Sequence, residues 1–539
     1  MAAKRKYPAG IQDFESLRRD GYVYIDKTPL IYKMITEGYP YFLSRPRRFG
    51  KYLLVSTLEA IFLGKRELFE EMSLSDGTVQ PQLFIARSDW RWEVHPVFRF
   101  DFSETNLKDF ATLDEYIDSV LLRYEKKYDI ENSLEASGHR FANLVRTAHQ
   151  LTGQRGVVLI DEYDNQMLHA IGNIEKEKHV RDTFSALFSP LKSLNEHLRF
   201  IFITGITKFS QMGIFSTLNQ VINISMQARY ETICGISKEE LTTQLHQDIE
   251  QLAQENNTGY DDMLERLKRA YDGYHFSEKL TDIYNPFSII NAFSSGELRD
   301  YWFSSATPSA LIDMLAKMPP INLQDIDGIV CESTAFDRPF NSYQAVLPVL
   351  YQSGYLTIKD YDKELDEYTL GFPNTEVSKG FADCLYQQVT QRQDRDDKDK
   401  SQLLRAYKIF RRDDELPPFI EAIKAFFSGI PYQLSDKDKA RDEHYYHALL
   451  YTLLMAFGAD VTAEESTAKG RSDIVIRMPK GIYILEIKMD KHADAALKQI
   501  DDKDYAGKYR SDGRPLTKVA LCFSSQERNI FEWESKPVE

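Results

Sequence analysis

Over the first 235 residues, short apolar runs with strand character alternate with longer amphipathic segments. YPYFLSRP, WEVHPVFRFDF, RGVVLIDEYD and HLRFIFITG are the strand-like runs. Such alternation predicts a parallel sheet covered by helices. From about Ser237 to Ala292 the pattern turns helical. Ser237 can cap, Glu240 stands at the reciprocal position of a capping box, and LTTQLHQDIEQLAQ carries apolar residues at helical spacing, which predicts a smaller helical subdomain. Tyr301 to Thr375 mixes helical and strand-like pieces, and QRQDRDDKDKSQ (391–402) is a charge run without apolar periodicity, read as a linker or solvated helix end. The remaining chain opens with two helical segments, PPFIEAIKAFFSG and DEHYYHALLYTLLMAF. Three strand-like runs follow, SDIVIRM, GIYILEIK and KVALCFS, with the amphipathic HADAALKQIDDKDYAGKY between the second and third. This last part reads as a compact α/β domain, and the expected divisions are 1–235, 236–390 and 403–539.

Composition narrows the class. A chain of 539 residues suggests roughly three to four structural units. Its net charge of -15, 42% hydrophobic and 28% charged content are those of a globular protein, not of a disordered tail. No run approaches the roughly 18 apolar residues of a membrane span, and MAAKRKYPAG has no apolar stretch behind its basic residues, so a cytoplasmic location is expected. The four cysteines form no CxxC pair, which argues against a zinc knuckle or a disulfide framework. The acidic balance opposes a general grip on nucleic acid, yet a local basic groove or a bound metal reverses the field where it matters.

The first chemical constellation is SRPRRFGKYLL, which follows a strand-like run and precedes the amphipathic LLVSTLEAIF. That strand-to-helix junction is where a phosphate loop sits, although the regular GxxxxGK[ST] expression fails. Gly50 lets the turn close on a phosphate, Lys51 would reach the β- and γ-phosphates, and Arg45, Arg47 and Arg48 add positive charge. About 110 residues later GVVLIDEYDNQ is an apolar strand ending in Asp161, Glu162 and Asp164, the way carboxylates are delivered to a magnesium ion and an attacking water. A third strand, RFIFITGITKFS, ends in Thr204 and Thr207, either of which could sense a γ-phosphate.

The second constellation is GRSDIVIRMPKGIYILEIKMD. Asp473 starts one strand, and Glu486 and Lys488, two apart on the next, share a face that a hairpin can bring beside it. Converging carboxylates repel, and a divalent cation of the Mg²⁺ or Mn²⁺ type is the usual remedy. The competing reading is a solvent-facing salt bridge. Among other residues, His444 and His447 are read as one packed and one exposed, and WRW (90–92) as a partly buried aromatic cluster. YDGYHF and DIYNPFS are assigned to subdomain packing.

The segments YPAGIQDF, YVYIDKT, RPRRFGK, IDEYDN, TGITKFS, YDGYHF, YNPFSIINAF and YWFSS resemble, in order, the bacterial AAA-ATPase-like proteins with a C-terminal PD-(D/E)XK nuclease-like domain. The resemblance runs over nearly the whole chain. It implies an α/β architecture: a P-loop AAA-type ATPase domain with a helical subdomain, then a restriction-endonuclease-like α/β domain. It makes Lys51 the phosphate-loop lysine, Asp161 the magnesium-associated carboxylate and Glu162 the base for ATP hydrolysis. In the last domain it implies Asp473 and Glu486 as metal ligands and Lys488 as a catalytic partner. Glu443 would be a further acid from the preceding helix, and ALKQIDDKDYAGKY resembles the ALxQI…Y signature of the nuclease branch through Gln499 and Tyr505. The cofactors implied are ATP and Mg²⁺ or Mn²⁺. The partner is nucleic acid, DNA ahead of RNA, with a homo-oligomer possible and no membrane. The chain departs from the pattern at Tyr52, where Ser or Thr ordinarily offers a hydroxyl to Mg²⁺. Two consequences stay open: ATP binding with slow hydrolysis, or a Tyr52 turned away with water completing the metal shell. The corresponding functions are a metal-dependent nuclease gated by an ATPase module, and a hydrolysis-deficient regulatory protein with an inactive nuclease-like domain.

Overall fold

Four of the apolar runs form the parallel strands β1 (Pro40–Ser44), β2 (Val97–Asp101), β3 (Gly156–Asp161) and β4 (Leu198–Gly205). A two-residue strand β5 (Ile222–Asn223) joins at one edge, giving the order β2-β3-β4-β1-β5 with every pairing parallel. The computed structural model describes residues 5–74, 77–104, 111–131, 134–170, 173–207, 221–305, 326–337, 346–390, 398–429, 443–467 and 470–538. β3 is buried at all six positions, so both faces of the sheet must be covered. On one face Phe98, Phe100, Val158 and Ile160 pack with Phe141, Leu144, Phe184 and Phe188 from the helices Ser137–Thr152 and Ile174–Phe188. On the other, helix α1 (Lys51–Phe62) brings Phe62 to 5.3 Å from Phe200. Parallel pairing puts the carboxyl ends of β2, β3, β4 and β1 on a common edge, where open α/β sheets bind ligands. Ser44 is in register with Gly205, and Asp101 with Asp161.

The helical subdomain begins as its pattern predicts. Ser237 Oγ accepts from Glu240 N at 3.2 Å, and Glu240 Oε2 accepts from Ser237 N at 2.8 Å. Helices Lys238–Gln244, His246–Glu255, Tyr260–Tyr271 and Pro286–Ser295 then close a core of Leu241, Ile249, Leu252, Leu267 and Ile289. Val23, Tyr7 and Ile25 from the N-terminal segment pack into that core. By contacts along the chain, Met1–Ala310 and Val330–Glu376 form one compact unit, and Leu311–Ile329 with Val377–Glu539 form a second.

The second unit carries a sheet of β6 (Val461–Thr467), β7 (Gly470–Arg477), β8 (Ile482–Met489), β9 (Leu516–Ser524) and β10 (Asn529–Pro537), in that spatial order. Only β8 and β9 pair in parallel. A parallel pair needs a crossover, here helix α3 (Ala493–Asp502). Helix α2 (Glu443–Ala456) precedes the sheet. Of the charge run, 391–397 lies outside the described residues, and its remainder opens the helix Lys398–Asp413. Ser210 and its neighbours after Thr207 also lie outside them.

Trp90 packs on Phe62 and Trp92 on Phe69, the aromatic cluster expected of WRW. His447 is buried and His444 exposed. All four cysteines are buried and outside any disulfide. Among the described residues, no helix is long and apolar enough to cross a membrane.

Candidate functional site

The loop from β1 to α1 turns through two left-handed residues, Arg48 (φ 68°) and Gly50 (φ 92°), and Gly50 hands the chain to α1. Lys51 is buried at the first position of that helix. Its ammonium donates to the Arg45 and Pro46 carbonyls at 2.9 and 3.1 Å and lies 3.8 Å from Glu162 Oε1. With three N–H groups and two held by the loop, the third is left for the Glu162 side. Two neighbouring segments hold the loop. The Trp302 indole donates to the Arg47 carbonyl at 3.0 Å, and the Arg48 guanidinium lies 4.8 Å over the Phe287 ring. Arg45 points the other way. Its guanidinium is 1% exposed, donates to the carbonyls of Ser44, Ser225, Tyr230 and Glu231, and stacks 4.1 Å above Phe276.

The acidic strand end faces this loop. Asp161 is fully buried. Its Oδ1 accepts from Thr204 Oγ1 at 2.9 Å and from Glu162 N at 3.0 Å, while Oδ2 has no partner. Burial first, then the charges of Glu162 and Asp101, pushes its pKa up to about 7. Glu162 adopts φ 49°, a left-handed conformation that costs a non-glycine residue about 1–3 kcal/mol and is tolerated where surrounding structure enforces it. Asp164 is turned to the end of β4, where its Oδ2 accepts from Ile206 N, Thr207 N and Thr207 Oγ1 at 2.9, 2.6 and 2.8 Å. Between these groups lies a cavity of about 430 Å³. Its lining combines polar side chains, Arg47, Arg48, Lys51, Ser103, Asp161 and Glu162, with apolar ones that include Ile11, Val23, Ile25, Ile236, Phe287 and Ile290. Tyr52 also lines it, its ring 4.4 Å beneath the Arg99 guanidinium, which Glu59 of the same helix holds at 2.8 Å.

In the second unit, β7 and β8 pair with Ile474 opposite Leu485, so Asp473 and Glu486 are the next positions along the hairpin. Glu486 and Lys488 share a face. The Lys488 ammonium donates to Glu486 Oε1 at 2.9 Å, Glu443 Oε1 at 3.2 Å and the Ile487 carbonyl at 2.9 Å. Glu443 anchors itself by accepting from Met489 N at 3.1 Å, and Asp473 Oδ2 accepts from Ile487 N at 2.7 Å. Glu486 is fully buried and its Oε2 has no partner. Burial and the neighbouring Asp473 push its pKa up to about 8, and burial likewise raises Asp473. For Lys488 burial pulls down, but pairing with Glu486 outweighs it and the ammonium is held charged.

Residues 8–215 match the family model described as "Predicted AAA-ATPase", and residues 441–533 match that of the PD-(D/E)XK nuclease superfamily. The sequence is also 32% identical, over 536 residues and 98% of each chain, to the uncharacterized protein in the vnfD 5′ region of Azotobacter chroococcum mcd 1. The chain belongs to the AAA-ATPase-like proteins with a C-terminal PD-(D/E)XK nuclease-superfamily domain.

In this AAA-ATPase-like protein the cavity gathers Arg47, Arg48, Gly50, Lys51, Tyr52, Asp161 and Glu162, all singled out from the sequence. Arg45 and Thr204 stand behind its wall, the first bracing the loop and the second bonded to Asp161. The nuclease-superfamily domain brings together Asp473, Glu486, Lys488 and Glu443. Gln499 is one step removed, donating to the Tyr505 hydroxyl at 3.3 Å. Pattern reading missed His447, whose Nε2 lies 2.7 Å from the Asp473 carbonyl, and the cavity roles of Ser103, Phe287 and Trp302. The NPFSII and YWFSS motifs were the available signal for the last two. Both sites fit a divalent cation in one respect: each holds a buried carboxylate oxygen, Asp161 Oδ2 or Glu486 Oε2, that accepts nothing from the protein. Oxygen-only donor sets of this kind suit Mg²⁺ or Mn²⁺.

Proposed function

We propose that this protein is a nucleotide-binding, metal-dependent nuclease that hydrolyses phosphodiester bonds of DNA or RNA, DNA ahead of RNA, and whose AAA-type module gates the cut. The observation that carries the reading is the Lys488 ammonium held between Glu486 and Glu443 beside a partnerless buried carboxylate oxygen. A salt bridge serving stability alone gains nothing from the bare Oε2, because a buried acceptor left without a donor costs about 1–3 kcal/mol. Asp473 and Glu486 would hold Mg²⁺ or Mn²⁺, which when bound supplies an acidified water and countercharge to the phosphate. Lys488 orients the nucleophile or offsets charge growing on phosphorus, Glu443 steadies Lys488, and Gln499 with Tyr505 borders the site.

In the N-terminal part, the apolar lining of the cavity takes the base and sugar of ATP, and Arg47, Arg48 and Lys51 take the phosphates. Asp161 serves the nucleotide's magnesium and Glu162 is the base for hydrolysis. We assign 1–235 and 236–390 to the ATPase part and 403–539 to the nuclease part, and place the protein in the cytoplasm with homo-oligomer formation possible. The Tyr52 ring fixed beneath Arg99 supports a second reading, a regulator that binds ATP without turning it over.

The test incubates the full chain with single-stranded DNA, duplex DNA and structured RNA, with and without ATP, in Mg²⁺ or EDTA. Cleavage should need the metal and fall by several orders of magnitude in Asp473→Ala and Lys488→Ala. Cleavage that persists in both variants places the chemistry elsewhere. A wild type that neither cuts nor binds metal in its last domain favours the regulator.

A further inference from the structure

Where Tyr52 leaves the β1–α1 loop without an aliphatic hydroxyl at this position, another hydroxyl stands on the cavity wall. β2 ends at Asp101, which pairs in register with Asp161, and the chain runs on into the turn Phe102–Glu104. That turn puts Ser103 on the cavity wall with Asp161 and Glu162. Ser103 Oγ donates to Asp101 Oδ1 at 2.6 Å, and Ser103 N donates to the same oxygen at 3.0 Å. A hydroxyl whose hydrogen is committed to a carboxylate keeps its lone pairs for another partner. Here the residue is exposed and faces the cavity. In the same wall Asp161, fully buried, holds Oδ2 without a donor. Phosphate-loop proteins hold Mg²⁺ with a hydroxyl oxygen and a strand-end carboxylate. The same two donor types meet here, but the hydroxyl comes from the neighbouring strand. Tyr52 does not compete for the role, since Arg99 covers its ring and is itself anchored by Glu59.

We propose that Ser103, oriented by Asp101, supplies the hydroxyl oxygen to the Mg²⁺ of a bound nucleoside triphosphate in place of the one lost at Tyr52. The proposal rests on reading the cavity as a nucleotide site. Its structural competitor is a turn that merely finishes β2, in which case losing the hydroxyl weakens the protein equally with and without metal.

The two separate in a titration of the full-length chain with a fluorescent ATP analogue, mant-ATP, in excess Mg²⁺ and in EDTA. Wild type should bind more tightly with Mg²⁺. Ser103→Ala should cut that Mg²⁺-linked gain by about 10- to 100-fold, the range seen when metal-site groups are removed, with affinity in EDTA unchanged. Ser103→Thr, which keeps a hydroxyl, should restore the gain. An undiminished gain in Ser103→Ala, or an equal loss of affinity in Mg²⁺ and EDTA, overturns the proposal while leaving the nucleotide site standing. A wild type that binds no mant-ATP in either condition brings down the nucleotide reading and this proposal with it.

Discussion

Replacing Glu486 by glutamine keeps the outline of a fully buried side chain and deletes its charge. In the native protein this carboxyl titrates near 8 instead of its ordinary 4.5, because burial penalises the anion and Asp473 repels it. The folded protein therefore holds the proton more tightly than the unfolded chain does. The contribution of this group to stability is fully present below 4.5 and is lost as pH rises through about 8, a loss on the order of 5 kcal/mol at about 1.4 kcal/mol per pH unit. The glutamine of Glu486→Gln has no such proton to lose, and Lys488 keeps Glu443 and the Ile487 carbonyl as partners. The variant should thus be the more stable protein in alkaline, metal-free buffer, with the gap shrinking at low pH. Asp473 and Glu486 titrate as a pair, so the difference between the two proteins reports the loss of Glu486 together with the relief that this loss gives Asp473.

Whole-chain melting mixes two units and obscures the effect. Hydrogen exchange of peptides spanning β7 and β8, in EDTA at about pH 6 and about pH 8.5, reads the local opening free energy directly. Adding Mg²⁺ should then protect these peptides in the wild type, increasingly so as pH rises, and leave the variant unchanged. A variant whose protection falls with pH as steeply as the wild type's refutes the assignment of the burial penalty to Glu486. Equal protection of both proteins by Mg²⁺ refutes its place in a metal site.

Lys51→Ala should abolish mant-ATP binding in a fluorescence titration, since the loop loses the lysine whose remaining N–H is left on the Glu162 side of the cavity lining. Arg45→Met should destabilise the first unit, because carbonyls of Ser225, Tyr230 and Glu231 lose a buried donor. A cost of about 2–4 kcal/mol is expected, and hydrogen exchange of peptides spanning β1 and β5 in the full chain checks it. Trp302→Phe removes the N–H that holds the Arg47 carbonyl together with part of a buried ring that packs on Tyr355. The lost hydrogen bond alone should weaken nucleotide affinity by about 5- to 10-fold while leaving circular dichroism unchanged.

Much of this architecture is legible because burial writes a strong pattern. β3 is apolar throughout as its two covered faces require, and the Ser237–Glu240 pair forms the capping box its spacing predicts. Edge strands carry no such mark. β10 (NIFEWESKP) is rich in charge and largely open to solvent, as an edge is, and β5 is two residues long. The Glu486–Lys488 pair is legible for a geometric reason, since a strand repeats every two residues and places both on one face.

The direction of a loop side chain has no comparable rule. Arg45 sits among three cavity-directed basic positions in the sequence, yet its guanidinium is drawn inward by carbonyls 180 to 186 residues further along. His447 likewise meets the Asp473 carbonyl 26 residues away, a contact that helix periodicity cannot announce. Ser103 carries the same point over to motifs. A search for the magnesium hydroxyl confined to the residue after Lys51 stops at Tyr52, because the motif describes one loop. A parallel sheet instead brings several strand ends to one edge, so a chemical group missing from one crossing is available from the next strand in space, whatever its distance in sequence.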